Sequence, residues 1–568
     1  MKAKYIKLMG ILTIIFLMTS PAFASTYGLQ NAERTMGAFS QASAGTYTNP
    51  LPIEIPGDGL VESCADPTII YAQTPDDPYW YMYCTTDPLN DEDKTGDNFN
   101  FHLIPILRSD DLVSWEYMGD VFSTRPGWVA DDAGLWAPEI QYFNDQYYLY
   151  YGASWTDLPG GGSAIGVATS DNPLGPWVDS GGPVVEPHAP GCCPGDKRWV
   201  FDPEVVRDED TGQLYIFYGS YFGGISAREL SADGLHSDPA TQEQITIANR
   251  YEGAEVEYHD GFYYLFVSAT DCCRGPLTGY TVFVGRSEDI LGPYIDREGH
   301  SLLEGRVGGT PVISMNGNRW VGPGHNDVFV DFTGQWWTVY HAIDRNDPYF
   351  EGATGFTKRP VLLDAIDWID GWPTVRGGPW ASDNPQHAPA AQPGTKTQYR
   401  TKLVKPDRTG KLIQELSDEF NGTLGNQWSW VREPATGTAV SAETFDFQTQ
   451  AADLFEGSNN ASVLIEDAPN GNYVVETRVR LDLPAEGCCF NYVQAGLVIY
   501  GDDDNFVKLV EVSIWETRQT EFAKEWWPVP DGYPRYGNTV VGAPGDWVYL
   551  RIVKQTRAGE EHYTAYTS

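Results

Sequence analysis

Hydrophobic and aromatic positions gather into five dense runs, each opened by turn residues. They read YWYMYCTT after Asp77-Pro78, YYLYYGAS after Asn144-Asp145-Gln146, LYIFYGS after Thr211-Gly212-Gln213, FYYLFVSAT after Asp260-Gly261 and WWTVYHAI after Thr333-Gly334-Gln335. Each is a run of β-formers ending in small or polar residues, and successive runs begin about 50 to 75 residues apart, the spacing of a four-stranded sheet with long loops. Five such sheets arranged radially predict an all-β fold, a five-bladed β-propeller. A shorter β-like run precedes each aromatic one and carries a distinctive polar residue: Asp66 in CADPTIIY, Glu139 in LWAPEIQYF, Asp202 in FDPEVV, Glu252 in YEGAEVEY and His325 in GPGHNDVFV. Taken as the innermost strands, these runs bring all five residues to one central funnel. A single acid near a strand end is commonly a solvated turn residue; recurrence in every repeat argues for the funnel. Pro beside Asp66, Glu139 and Asp202 fixes a backbone torsion there and stiffens the start of the strand.

Past the fifth repeat the pattern changes. Residues 377–411 are rich in Pro, Ala, Gln, Gly and Thr, with PQHAPAAQPG at their centre, and read as a linker. From residue 412 to 568 the chain alternates as sandwich strands do, in NYVVETRVRLDL, YVQAGLVIY, NFVKLVEV and WVYLRIV. HYTAYTS falls within a strand-like run, so this β-sandwich (jelly-roll) domain is expected to be truncated at its carboxy terminus. Asp502-Asp503-Asp504, between two strands, reads as a hairpin turn rather than a metal site.

At the amino terminus, Lys2, Lys4 and Lys7 precede an apolar run from Met9 to Met18 and the small residues of Ala22-Phe23-Ala24. The run is short for a membrane span, so residues 1–24 read as a signal peptide, 25–48 as an N-terminal extension and 49–376 as the propeller. The mature protein is expected to be secreted (extracellular or periplasmic), with no membrane association after signal cleavage.

The length of 568 residues suits several folded units. Lys plus Arg is 37 against 78 Asp plus Glu, a net charge of −41 that disfavours nucleic acid and anionic lipid as partners. Aromatic residues make up 13% of the chain, so the composition is that of a globular protein with many rings to pack or to stack on a ligand. The eight cysteines suit disulfides in an exported protein: Cys64 and Cys84 flank one strand-turn-strand unit, and Cys192-Cys193, Cys272-Cys273 and Cys488-Cys489 are vicinal pairs. Which sulfurs pair is left open by the sequence.

The set Ala65-Asp66-Pro67, Trp136-Ala137-Pro138-Glu139-Ile140, Asp202-Pro203, Glu252-Gly253-Ala254 and Gly322-Pro323-Gly324-His325-Asn326 resembles glycoside hydrolase family 43, a five-bladed propeller family of arabinanases, arabinofuranosidases and xylosidases. The resemblance covers about residues 50 to 380, and it implies an inverting hydrolase. It makes Asp66 the general base, Glu252 the general acid, and Asp202 the residue that orients the acid and raises its pKa. Ala254 departs from the family pattern and Glu255 lies nearby; the offset from the Asp260-Gly261 turn selects Glu252. His325 is implied to contact a hydrated structural calcium in the channel, while His341 reads as a structural strand-end residue. Trp136, Trp155 and Phe201 are candidates for stacking on sugar faces.

The GPGHN motif and RPVLLDAIDWIDGWP look more like arabinan-acting members, so the expected substrate is a plant cell-wall polysaccharide, α-1,5-L-arabinan, cleaved by an endo-acting monomer without organic cofactor. Arabinofuranosidase or β-xylosidase activity is the alternative within the family. A non-catalytic carbohydrate-binding propeller would repeat its binding residue in every blade, whereas these five residues differ. Asp418-Glu419-Phe420, Trp428 to Arg432 and QAGLVIY resemble the concanavalin-like sandwich appended to many members of that family.

Overall fold

The computed structural model describes residues 45–189, 198–315, 319–405, 407–441 and 443–568. The expected signal peptide, most of the N-terminal extension and the Cys192-Cys193 pair lie outside the described residues. Five sheets follow one another along residues 53–375; four have their strands in sequence order, and the first does so from Thr68 onward while Ile53–Glu54 adds a parallel strand at its outer edge, beside Trp115–Asp120. Their first strands are Thr68–Tyr71, Leu135–Phe143, Glu204–Arg207, Tyr251–His259 and Trp320–Val330. Each first strand touches the first strand of the next sheet, and the fifth touches the first, so the sheets close into a ring around a channel. This is the geometry of a propeller, and the sheets are called blades one to five below.

The aromatic runs form the second strand of each blade, and their packing explains why they show no polar alternation. Trp80 and Met82 face the cluster shared with blade five, whereas Tyr81 and Tyr83 face the cluster shared with blade two. Tyr148 and Tyr150 likewise point to blade three while Tyr147, Leu149 and Tyr151 point to blade one. Two further clusters join blade three to four and blade four to five. With a neighbouring blade on each face, nearly every side chain of the strand is buried, and a two-sided hydrophobic run is what that requires. Three of the hairpins between strands turn on two residues of positive φ: Asn144-Asp145, Asp260-Gly261 and Asp370-Gly371. That is the primed turn matching the twist of paired strands, and Asn, Asp and Gly are the residues that reach it most readily.

The ring is sealed by segments from both ends of the propeller. Leu51 N donates to Val361 O, Asn49 Oδ1 accepts from Leu363 N at 2.9 Å, and Thr46–Tyr47 pairs antiparallel with Gln386–His387. The region from 377 onward, read from composition as a linker, therefore differs in its first half. Ala388, Ala390 and Ala391 are buried, Trp80 Nε1 donates to Ala391 O, and Asp331 accepts from Ala390 N and Tyr399 OH. Alanine buries without adding a hydrophobic peak to the sequence, so the docking of this segment left no signal there.

In the carboxy-terminal region, Tyr473–Val479, Val548–Arg557 and Glu560–Thr567 form one sheet. Gln494–Asp502, Asn505–Ile514, Thr517–Glu525 and Tyr536–Val540 form another. The two share a core of Leu509, Val548, Leu550 and Ile552 with Val475, Leu497 and Phe522, the arrangement of a two-layer sandwich. Asp503 and Asp504 lie in the hairpin turn and are paired with Arg432 and Arg535.

This region lies directly against blade four. Thr539 Oγ1 donates to Gly279 O at 2.8 Å, Arg250 reaches Gln519 at 2.9 Å, and Asn249 Nδ2 donates to Glu516 at 2.7 Å. A Cβ on Gly279 would stand 1.6 Å from Asn538 O and one on Gly537 2.3 Å from Leu277 O, so both backbones need glycine to approach this closely.

Candidate active site

Each innermost strand carries, within it or two residues before its start, a residue in the left-handed region at the equivalent place: Asp66 (φ 51°), Ala137 (44°), Asp202 (53°), Gly253 (58°) and His325 (47°). A non-glycine residue held there costs of order 1 kcal/mol or more, a strain that the surrounding structure must impose. This ring of kinks sets the layer of the site. Asp66, Asp202 and His325 occupy kinked positions themselves, and Glu252 comes one residue before the kink of blade four. Glu139, expected in the same funnel, lies two residues past the kink of its blade and belongs to a deeper layer. The kink and the irregular pairing beside it shift the register, and a sequence repeat does not display that.

In the upper layer Asp66 N donates to His341 Nδ1 at 3.2 Å, and its carboxyl meets several polar side chains. Thr85 Oγ1 donates to its Oδ2 at 2.6 Å, Arg359 approaches at 3.3 Å, and the Nδ1 atoms of His325 and His341 lie 3.4 and 3.2 Å from Oδ1. Burial by itself would raise the carboxyl, but the Arg359 guanidinium, then His325 and His341, hold it well below the usual carboxylate range. Asp66 is therefore ionised at any working pH. Arg359 also reaches Asp87 at 3.5 Å, a neighbour that burial pushes up to about 6. The Cys64–Cys84 disulfide ties together the two segments that carry Asp66 and Thr85.

Glu252 sits in the opposite environment. Tyr280 OH donates to its Oε1 at 2.7 Å and Ser220 Oγ to its Oε2 at 2.8 Å, and Gly253 N donates to Asp202 Oδ2 at 3.0 Å. Burial raises the carboxyls of both Glu252 and Asp202, and the charge of Glu252 raises Asp202 further, well above the ordinary range. The sequence-based expectation gave the raising effect to Asp202 acting on Glu252; repulsion between two carboxylates is mutual, so the effect belongs to both members of the pair. The two carboxyls titrate as a pair, and the proton lost last belongs to the pair.

A spacer separates the two halves. The Tyr280 ring stacks on the His341 ring with centroids 5.8 Å apart and planes 13° from parallel, Tyr280 holding Glu252 and His341 touching Asp66. His341 is fully buried, and burial pushes its pKa down to about 4, so it is a neutral brace. The ionised acid and the protonatable one are thus held on opposite sides of two packed rings. Thr85, Arg359, His341, Tyr280 and Ser220 had no assigned catalytic part from the sequence. Arg359 and His341 stood in segments already singled out there, but nothing in those segments pointed to Asp66.

Of the predicted stacking residues, Trp136 and Phe201 directly precede the kinks of blades two and three and lie 5.2 Å apart, with Trp136 39% exposed. Trp155 follows the second strand of blade two and is 53% exposed. His325, the predicted calcium contact, is half-buried, and desolvation, with Arg359 helping and the charge of Asp66 opposing, lowers its pKa, which leaves the imidazole neutral and able to ligate. Among the described residues the only cluster of three or more His, Cys, Asp or Glu able to meet one ion is Cys488, Cys489 and Glu516. The donors at His325 therefore fit only an ion that keeps most of its water and takes a single imidazole.

Below this layer the channel is lined with buried carboxyls. Glu139 accepts from Thr68 at 3.1 Å and Gln141 at 2.6 Å, Asp327 from Ile69 N at 2.7 Å, and Glu255 from Val328 N at 3.2 Å. Burial, then mutual repulsion, pushes Glu139 up to about 8, and burial pushes Asp327 up to about 7. Glu204, Glu255 and Glu257 are raised well above the ordinary range for the same two reasons. A carboxyl raised in the folded state keeps a proton that the unfolded chain has already lost, so its contribution is complete below the unfolded pKa and is lost as pH rises through the folded one. The melting temperature is accordingly expected to fall steadily between about pH 5 and about pH 9. Glu139→Gln should flatten that slope, and a flat or rising wild-type profile in calorimetry would show that these groups are ionised in the native channel.

Comparison with known proteins was made on this architecture. The family described as Glycosyl hydrolases family 43 matches residues 60–373. The chain is 32% identical over 281 residues to the extracellular endo-alpha-(1->5)-L-arabinanase 1 of Bacillus subtilis (strain 168), spanning 47% of this chain and 79% of that protein. It is 32% identical over 298 residues to the extracellular exo-alpha-(1->5)-L-arabinofuranosidase ArbA of Cellvibrio japonicus (strain Ueda107), spanning 48% of this chain and 80% of that protein. Among solved structures, the Cellvibrio cellulosa alpha-L-arabinanase complexed with arabinohexaose is similar at 28% identity and a TM-score of 0.45, over 56% of this chain and 96% of that one.

Proposed function

The chain belongs to glycosyl hydrolase family 43, and on that premise we propose that it hydrolyses α-1,5-L-arabinan, with inversion, at the funnel formed by Asp66, Asp202 and Glu252. The observation that carries the reading is the contrast between two buried carboxyl environments on either side of a two-ring spacer. Inversion needs a base that is always ionised, an acid that keeps its proton, and room for a water between them. Asp66, held low by Arg359 and the histidines, takes a proton from that water as its oxygen attacks the anomeric carbon. Glu252, held high by burial, gives its proton to the departing glycosidic oxygen. Asp202 accepts from Gly253 N beside Glu252, and as the partner in the pair it stores the proton and fixes the strand that carries the acid.

Endo action on the linear polymer is the leading reading, since three of the similar proteins are described as endo-acting. Exo action is the second reading, favoured by the similarity to the arabinofuranosidase. The mature protein acts outside the cytoplasm as a monomer in this proposal; two of the similar proteins are described as extracellular, and among the described residues no helix is long and apolar enough to cross a membrane. The test is to follow the anomeric proton of the first product by NMR on linear arabinan, branched arabinan, xylan and aryl glycosides. Inverted oligomers from linear arabinan support the proposal, single arabinose units select the exo reading, and retained configuration overturns the mechanism.

His325 is proposed to anchor a hydrated calcium, which when bound would supply positive charge at the head of the channel. Calcium should then raise the melting temperature of the wild type and leave His325→Ala unmoved, whereas equal shifts in both would place the ion elsewhere.

A further inference from the structure

The hairpin that joins Asn505–Ile514 to Thr517–Glu525 turns on Trp515 and Glu516, and it reaches the propeller close to the general acid. Glu516 accepts from Asn249 Nδ2, and Asn249 N donates to Tyr221 O at 2.7 Å. Tyr221 is the residue after the Ser220 that holds Glu252, so the turn of Trp515 and Glu516 meets the propeller beside the segment that positions the acid. A line of rings runs from this point back to the funnel. Tyr221 is 5.0 Å from Phe222, Phe222 is 4.7 Å from Trp199, Trp199 is 6.0 Å from Phe201, and Phe201 is 5.2 Å from Trp136. Trp515, Phe222, Trp199 and Trp136 are between 37% and 42% exposed.

So long a row of half-exposed rings is unusual on a soluble protein, and it marks a contact surface. Its place decides the occupant. The row is continuous with the funnel, begins at the two rings that precede the kinks of blades two and three, and ends on the carboxy-terminal sandwich. A ligand that stacks on rings along such a path, on a chain of net charge −41, is extended, uncharged and has C–H faces. A glycan chain has all three properties.

We propose that the Trp515 hairpin is the far end of the substrate cleft, and that Trp515, Phe222 and Trp199 bind successive sugar residues of a neutral arabinan chain beyond the point of cleavage. The inference rests on the hydrolase reading given above, and it assigns the carboxy-terminal sandwich a share in one long site instead of a separate binding function. Shape also supports it: Gly279 and Gly537 allow the two backbones to touch, which seats the sandwich directly against blade four.

The test compares full-length wild type with Trp515→Ala and Trp515→Phe on arabinohexaose and on an aryl arabinofuranoside. The loss in kcat/KM on the hexamer should exceed the loss on the aryl substrate by about 5- to 10-fold in the alanine variant, and phenylalanine should restore most of it. Equal losses on both substrates, or no loss on the hexamer, overturn the proposal and leave Trp515 as a brace for Tyr221. Wild type inactive on every arabinoside would count against the hydrolase reading alone. Affinity electrophoresis through arabinan, xylan and galactan gels still decides the cleft in that event. Retardation of the wild type that is lost in Trp515→Ala supports it, and absent or unchanged retardation overturns it.

Discussion

Glu252→Gln is expected to lower turnover of arabino-oligosaccharides by about 10²- to 10⁴-fold, the range that a positioned general acid contributes. Glutamine keeps the shape of the side chain. Its amide oxygen can accept from Tyr280 and its nitrogen can donate to Ser220, both of which now donate to the carboxylate, so the variant should fold and melt close to the wild type. The loss should depend on the leaving group. A sugar alkoxide cannot depart without a proton, whereas an activated phenolate can, so the same variant should retain much more of its activity on a dinitrophenyl arabinofuranoside. A second consequence separates this role from mere positioning. The alkaline limb of the wild-type profile reports the proton shared by Glu252 and Asp202, and in the variant that limb should shift or vanish on the activated substrate. Uniform loss across leaving groups would move the acid to another residue, with Glu255 the nearest alternative in the strand. Glu255, however, accepts from Val328 N within the deeper layer.

Asp66→Asn is expected to remove activity to a comparable degree, about 10²- to 10⁴-fold, and here no leaving group should rescue it, because the base acts on water. The variant has an electrostatic signature of its own. The Asp66 charge is one of the causes that raise Glu252, Asp202 and Tyr280. Removing it should let the pair release its proton at lower pH, so the alkaline limb of the residual activity moves in the acidic direction. Arg359 retains Asp87 as a partner, and Thr85 can still donate to the amide oxygen, so the site should not collapse. Wild-type turnover in this variant, or a limb that moves in the alkaline direction, would refute the assignment of the base.

Much of the fold was legible in the sequence because each aromatic strand is squeezed between two blades. Such a strand must be hydrophobic on both faces, and Tyr147 to Tyr151 or Phe262 to Val267 say so without help from any other segment. Asp66, Asp202 and Glu252 were visible through motifs that sit at the heads of the innermost strands. What could not be read was register. Glu139 looked equivalent to the others because both the carboxylate and its neighbouring proline recur, yet the left-handed residue of its blade is Ala137, and that displacement drops Glu139 into the channel. The partners that set the chemistry were equally hidden. Tyr280 directly precedes the third strand of blade four and His341 lies within the second strand of blade five, and nothing local connects a tyrosine and a histidine 61 positions apart until their rings are stacked. The docking of the first half of 377–411 was hidden for a related reason: alanines that fill a seam look like alanines in a tether.

The ring of left-handed residues has an implication for how one asymmetric site can grow on a repeating scaffold. At this height the five blades present the same backbone address, occupied by two aspartates, a histidine, an alanine and a glycine. Because the main chain already pays the conformational cost at every address, exchanging the side chain there changes chemistry without redrawing the path of the strand. A catalyst that needs a base, an acid pair and a cation anchor can thus be assembled by independent single-residue choices in separate copies of one unit. Symmetry is kept in the polypeptide and broken only in what hangs from it.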